Sequence, residues 1–242
     1  MLPSHRTVIT VALFLVWAPF AHAQTLVDPS GHWEGSVLIP GMDSIFELDL
    51  VKQRNGEFVG TINIPAESIK GLPLRAVVVH GTSVSFDARR DQPLNGTLSA
   101  DGKSMSGDAT LSGYVLPFTL TRTGDPETLE PARSAPISRE LEGTWNGTLD
   151  ANGRSMHFVL TMTNQPDGTA TARVISLDEG ELEVPLVVTQ KGSSVVLVNS
   201  VIPSSFAGTL NAEITELAGT FTQGQVALPM NFRRAETAGG RR

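Results

Sequence analysis

The chain has 242 residues and none of them is cysteine. That absence excludes disulfides, thiolate metal ligands and a cysteine nucleophile together. It also excludes anchoring through a lipidated cysteine. The catalytic spacings that a sequence can display are missing as well. No Gly-x-Ser-x-Gly, His-x-His or His-Glu-x-x-His occurs, so neither a serine nucleophile elbow nor a helical zinc site is written in the chain. Long apolar runs are absent beyond the N-terminus. The run from Val8 to about Pro19 is shorter than the roughly 20 residues that span a bilayer. Basic residues are the minority, 18 against 25 acidic ones, for a net charge of −7.

What is present begins with an export signal. His5 and Arg6 precede the apolar run, and Ala21-His22-Ala23 has the small–x–small form of a cleavage site. Residues 1–23 are therefore predicted to be a signal peptide, and the mature protein to be periplasmic or secreted. Removing the leader removes Arg6 and leaves a net charge of −8. A balance of that sign argues against nucleic acid and anionic membrane surfaces as partners and favours solubility.

The mature chain repeats itself at an offset of 112 residues. Gly31, Trp33 and Gly35 recur as Gly143, Trp145 and Gly147, and Phe46 and Leu48 as Phe158 and Leu160. Gly96, Thr97 and Leu98 recur as Gly208, Thr209 and Leu210, and Leu116, Pro117 and Arg122 as Leu228, Pro229 and Arg234. At least nineteen of ninety-two aligned positions are identical, where roughly six would match by composition alone. The recurring types set backbone shape and core packing, so what is repeated is a fold.

Within each copy apolar residues alternate, as in Phe46, Leu48 and Leu50 or Leu228, Met230 and Phe232. Period two means strands with one buried face. Asn55-Gly56, Asp101-Gly102, Asn152-Gly153 and Asp167-Gly168 supply hairpin turns between them. The expected fold class is all-β: two tandem antiparallel up-and-down β-barrels of about eight strands each, over residues 24–122 and 143–234, with paired β-sandwiches as the alternative. In the first copy the strands fall at 32–39, 44–52, 57–64, 71–80, 83–89, 94–100, 105–112 and 115–122. Residues 123–142, with Pro126, Pro131 and Pro136, read as an extended linker with little to bury. Residues 235–242 read as a flexible tail.

Each copy opens with Gly-x-Trp-x-Gly and closes its last strand on an arginine, Arg122 or Arg234. This resembles the signature of calycins, the group of lipocalins, fatty-acid-binding proteins and avidins. The resemblance implies that Trp33 and Trp145 plug one end of each barrel with Arg122 and Arg234 lying across them. A guanidinium over an indole gains cation–π energy and shields the ring from water. The copies also resemble a small exported bacterial domain often found ahead of α/β-hydrolase domains, through GTWNGTL at 143–149, VPL at 184–186, QGQVALPMNFRR at 223–234, GLPL at 71–74 and GYVLPFTLTR at 113–122. The hydrolase itself is not part of the pattern here, so its activity does not carry over. Avidin-like biotin binding is disfavoured, because the mature chain has only the two strand-one tryptophans.

Candidate chemistry is sparse. His32 and His157 alternate with inward-facing Trp33 and Phe158 and so are expected at the surface, and His80 lies at a strand end. Glu47 and Asp49 read as solvent-facing strand polarity, and the acidic stretch Asp178, Glu179, Glu181, Glu183 as a solvated loop. No catalytic residue, metal or cofactor is assigned. The expected function is a non-catalytic binding module for a small apolar ligand, since ligand sites often occupy barrel mouths. Phe46, Leu48, Phe58, Phe86, Phe158, Leu160 and Phe206 are the candidate lining residues. The alternative is a structural or protein-interaction module serving an exported partner such as a hydrolase.

Overall fold

The structure is a computed structural model, described here for residues 27–127, 133–151 and 153–235. The signal peptide expected over 1–23, Pro131 and most of the expected C-terminal tail lie outside those residues. The described chain is all-β apart from one 3-10 turn. The first copy contributes β1 (Gly31–Ile39), β2 (Met42–Lys52), β3 (Phe58–Ile64), β4 (Ile69–Pro73), β5 (Ala76–His80), β6 (Ser83–Asp87), β7 (Pro93–Leu98), β8 (Ser104–Leu111) and β9 (Tyr114–Gly124). The second contributes β10 (Gly143–Ala151), β11 (Arg154–Asn164), β12 (Ala170–Ser176), β13 (Leu182–Lys191), β14 (Ser194–Asn199), β15 (Ser204–Leu210), β16 (Glu216–Gln223) and β17 (Val226–Arg234). Within each copy consecutive strands pair antiparallel, except β4 and β5, and the hairpin glycines Gly56, Gly102, Gly153 and Gly168 all take positive φ. Among the described residues no helix is long and apolar enough to cross a membrane.

The second copy is a closed eight-stranded barrel in which β10 pairs with both β11 and β17. The first copy departs from the expected barrel. It is a nine-stranded curled sheet in the order β4-β3-β2-β1-β9-β8-β7-β6-β5, with no ladder closing it. The cause is a single residue. In the second copy Leu186 stands opposite both Ala172 of β12 and Asn199 of β14, so one residue joins the two halves of β13. In the first copy two residues share that place. Leu74 donates its N–H to the Gly60 carbonyl at 2.9 Å, and Arg75 donates to the Asp87 carbonyl at 2.8 Å. Asp87 also pairs with Ala76, so Arg75 and Ala76 face one partner residue. That is a β-bulge, which bends a strand and interrupts its ladder. The strand expected over 71–80 is thereby split into β4 and β5.

The bulge also revises the alignment. After it, structurally equivalent residues lie 111 apart, so that Val84↔Gly96 matches Val195↔Gly208. The loop between β14 and β15 then restores the lost residue and with it the offset of 112. Phe86 accordingly corresponds to Leu197, and not to Val198 as a uniform offset implies. Both Phe86 and Leu197 are buried, whereas Val198 is exposed.

Strands approach closely where glycines pair across neighbours. A Cβ on Gly107 would sit 1.9 Å from the Asn95 carbonyl oxygen, and one on Gly219 2.2 Å from that of Ala207. Only glycine permits that approach, and it recurs at the matching place of both copies.

The connecting segment buries more than expected. Ile137 and Leu141 are buried against the second barrel, Ser134 bridges to Ala170, and the Ser134 hydroxyl accepts the N–H of Val188 at 2.8 Å. The last ten residues of the expected linker are thus a strap on the barrel.

The two copies meet through equivalent parts. The start of β4 rests on the β14–β15 loop, where Lys70 N–H donates to the Val201 carbonyl at 2.9 Å. The turn after β12 rests on the matching β6–β7 loop, where Arg90 N–H donates to the Gly180 carbonyl at 3.0 Å. Glu181 of that turn ion-pairs with Arg90, and its carbonyl accepts from the Arg75 guanidinium at 3.1 Å. Of the acidic stretch, Glu181 therefore belongs to this contact, Glu183 lies in β13 and pairs with Arg173 of its own copy, and Asp178 and Glu179 are exposed.

Candidate functional site

Trp33 and Trp145 are fully buried at the starts of β1 and β10. Arg122 stacks over the Trp33 ring with its guanidinium carbon 4.8 Å from the centroid, and Arg234 over Trp145 at 4.3 Å. Each indole N–H donates to the carbonyl of the residue four positions before it, Pro29 at 3.0 Å and Leu141 at 3.1 Å. The arginines hold the same entering segments. Arg234 donates to the carbonyls of Glu142 at 2.8 Å, Ile214 at 3.0 Å and Glu140, while Arg122 donates to that of Asp28 and leaves its buried Nε without a partner. These four residues close one end of each copy.

Open space lies at the other end of the second barrel. A cavity of about 260 Å³ is lined mainly by apolar side chains, among them Leu149, Met156, Phe158, Phe206, Phe221 and Met230. Its mouth faces the first copy, which contributes Glu67, Ile69 and Arg89. Ile69 is buried there. The first copy is therefore part of the wall.

The interiors differ because matched positions differ in volume. In the first copy Phe46, Phe86 and Phe118 fill the middle, with Phe118 edge-on to Phe46 at 6.1 Å and to Phe86 at 6.5 Å between ring centroids. The second copy has Phe158, Leu197 and Met230 at those places. Ile62, Ile64 and Leu72 become Val174, Ser176 and Val184, all of which line the cavity. Leu94 and Leu120 become Phe206 and Phe232, which also line the cavity and pack against each other at 5.3 Å between centroids.

Of the seven residues expected to line a pocket, Phe158 and Phe206 do. Phe46, Leu48 and Phe86 are buried in the first copy's core, and Leu160 is buried in the second copy away from the cavity wall. Phe58 is half-buried near a strand end, under the Lys52 ammonium at 5.6 Å. The lining residues Ser176, Glu67 and Arg89 carry no motif that could have marked them, because two of them belong to the other repeat.

Two expectations about polar residues are corrected. Asp49 is buried, not solvent-facing, because the chain leaving β9 crosses over it and the Glu127 N–H donates to its carboxylate at 2.8 Å. Glu47 is half-buried and accepts from Asn63 at 2.7 Å. His32 is half-buried rather than at the surface, with Nδ1 2.8 Å from the Asp49 carboxylate. The Asp49 hydrogen bond raises its pKa above the ordinary 6.5, against the effect of burial, and the charges of Asp49, Glu34 and Glu47 add to the rise. His80 and His157 are exposed. Among the described residues no three His, Asp or Glu side chains converge as a metal-ligand set.

No family profile and no curated protein matches the chain. Two solved structures are similar to it at low identity. A putative outer membrane protein from Bacteroides fragilis is 14% identical, over 85% of this chain and 97% of that one, with a TM-score of 0.27. A protein of unknown function from the DUF3598 family of Nostoc punctiforme is 16% identical, over 85% and 96%, with a TM-score of 0.26. Likeness at those TM-scores carries no argument.

Proposed function

We propose that the protein is an exported, non-catalytic binding module that holds a small apolar ligand in the second barrel. The observation that supports this reading is the cavity of about 260 Å³, walled by aromatic and aliphatic side chains at the open end of that barrel. Well-formed apolar pockets with few polar groups are the usual form of a small-molecule site. The first repeat serves as a solid partner that completes the mouth. The calycin-like Trp and Arg pairs fit a division in which one end is sealed and the other receives the ligand.

The test is native mass spectrometry of the protein taken from the cell envelope, with titration of an apolar fluorescent probe. One equivalent of probe per chain is expected. Leu197→Phe, which restores the bulk of Phe86, should block uptake while leaving the fold intact. A bare mass together with no saturable uptake by the wild-type protein would refute the reading.

A further inference from the structure

The cavity is not wholly apolar. Ser176 lies on its wall at the end of β12, is buried, and its hydroxyl has no hydrogen-bond partner. Leaving a buried hydroxyl unpaired is costly, and the matched residue of the first copy is Ile64, which has no such group. Arg89 lies on the same wall from the other repeat. Its guanidinium donates to Glu67 and, at 3.4 Å, to Gln92, but its Nε–H is buried and unpaired. Two unsatisfied polar atoms, brought from two repeats to one apolar space, form an incomplete hydrogen-bonding set.

The charges outside the mouth restrict what completes it. A second recess beside the cavity shares Glu67, Arg89 and Glu179 with it and adds Asp91 and Asp178. Four carboxylates therefore surround one guanidinium that is already engaged by Glu67. Asp178 stays ionised easily, since the His157 backbone N–H holds its carboxyl below the usual value. A ligand carboxylate entering there meets repulsion. A ligand ammonium finds carboxylates at the rim but no acceptor at Arg89, whose Nε–H can only donate.

We propose that the cavity selects an uncharged amphiphile with a hydrogen-bond acceptor such as a ketone, ester or amide carbonyl, and that Ser176 and Arg89 are the residues that select it. This rests on the binding reading above and specifies its ligand class. The size follows from the volume. An apolar cavity of about 150 Å³ accepts benzene, so one of about 260 Å³ accepts roughly ten heavy atoms.

The experiment is competition against the bound fluorescent probe by four compounds of matched size: 2-nonanone, octanoate, nonylammonium and 2-methylnonane. Among the three polar compounds, 2-nonanone should bind most tightly to the wild-type protein. Ser176→Ala should weaken 2-nonanone about three- to tenfold, the usual effect of one hydrogen bond, and leave 2-methylnonane unchanged. Arg89→Met, made in a loop, should weaken the ketone in the same selective way and covers the case in which the β12 variant misfolds. Tighter binding of octanoate or nonylammonium would overturn the inference, as would equal effects of both variants on ketone and hydrocarbon. Those results leave the binding module standing. Failure of the probe and all four compounds to bind would remove both.

Discussion

At the residue scale the chain divides its polar groups between holding the fold and waiting for something else. His32 and Asp49 hold. They stand opposite each other on β1 and β2, and Asp49 also receives the backbone N–H of Glu127 as the chain leaves the first sheet. Because the folded-state pKa of His32 lies above the unfolded value near 6.5, the folded state binds the proton more tightly. The stability this contributes is fully present below about pH 6.5 and is lost as pH rises through the raised folded value. Urea midpoints measured from pH 5 to pH 9 should therefore fall over the upper part of that window. In His32→Asn this part of the slope should vanish. A wild-type protein with the same pH profile as the variant would show that the pair contributes nothing. None of this was legible beforehand. Alternation correctly puts His32 and Asp49 on the outer face of the sheet, but the segment that covers that face comes from the linker, and strand periodicity carries no information about what lies on top of a strand. By contrast, the stacking of Arg122 on Trp33 and of Arg234 on Trp145 is what the calycin resemblance implies, and the paired first and last strands bring those residues together.

At the element scale, most strands were readable from period two and from the hairpin dipeptides. The one strand that was not readable is the one where the two copies differ in length. An extra residue at Leu74 and Arg75 splits β4 from β5, and a compensating extra residue between β14 and β15 restores the offset. A comparison of the copies at one fixed spacing registers only the sum of those shifts, which is zero. The consequence for local stability is measurable. In the half of β13 that matches β5, Val188 is buried, whereas its counterpart Val77 is half-buried and β5 has no fully buried side chain. Fewer buried contacts mean easier local opening. Amides of Ala76–His80 should exchange with deuterium at least tenfold faster than those of Val187–Lys191 under native conditions. Equal protection would show that the bulge does not weaken the seam.

At the scale of the whole molecule, the two copies differ inside: phenylalanines pack the middle of the first, and a cavity of about 260 Å³ lies in the second. The seam of the first lies against the second: Lys70 of β4 bonds to Val201, and Arg75 at the bulge reaches Glu181. An open sheet edge with unpaired backbone groups is a template for another strand. Here the neighbouring repeat reaches that edge, where the Val201 carbonyl accepts the Lys70 N–H. A chain ending at residue 127 should therefore self-associate, and size-exclusion chromatography with light scattering would detect it. A monodisperse monomer would refute the idea. The feature also sets a hazard in time. The N-terminal copy is synthesised first, and at about 5–20 residues per second its guard follows some ten seconds later. For that interval the nascent chain carries a sticky seam that its own unfinished half is not yet there to cover.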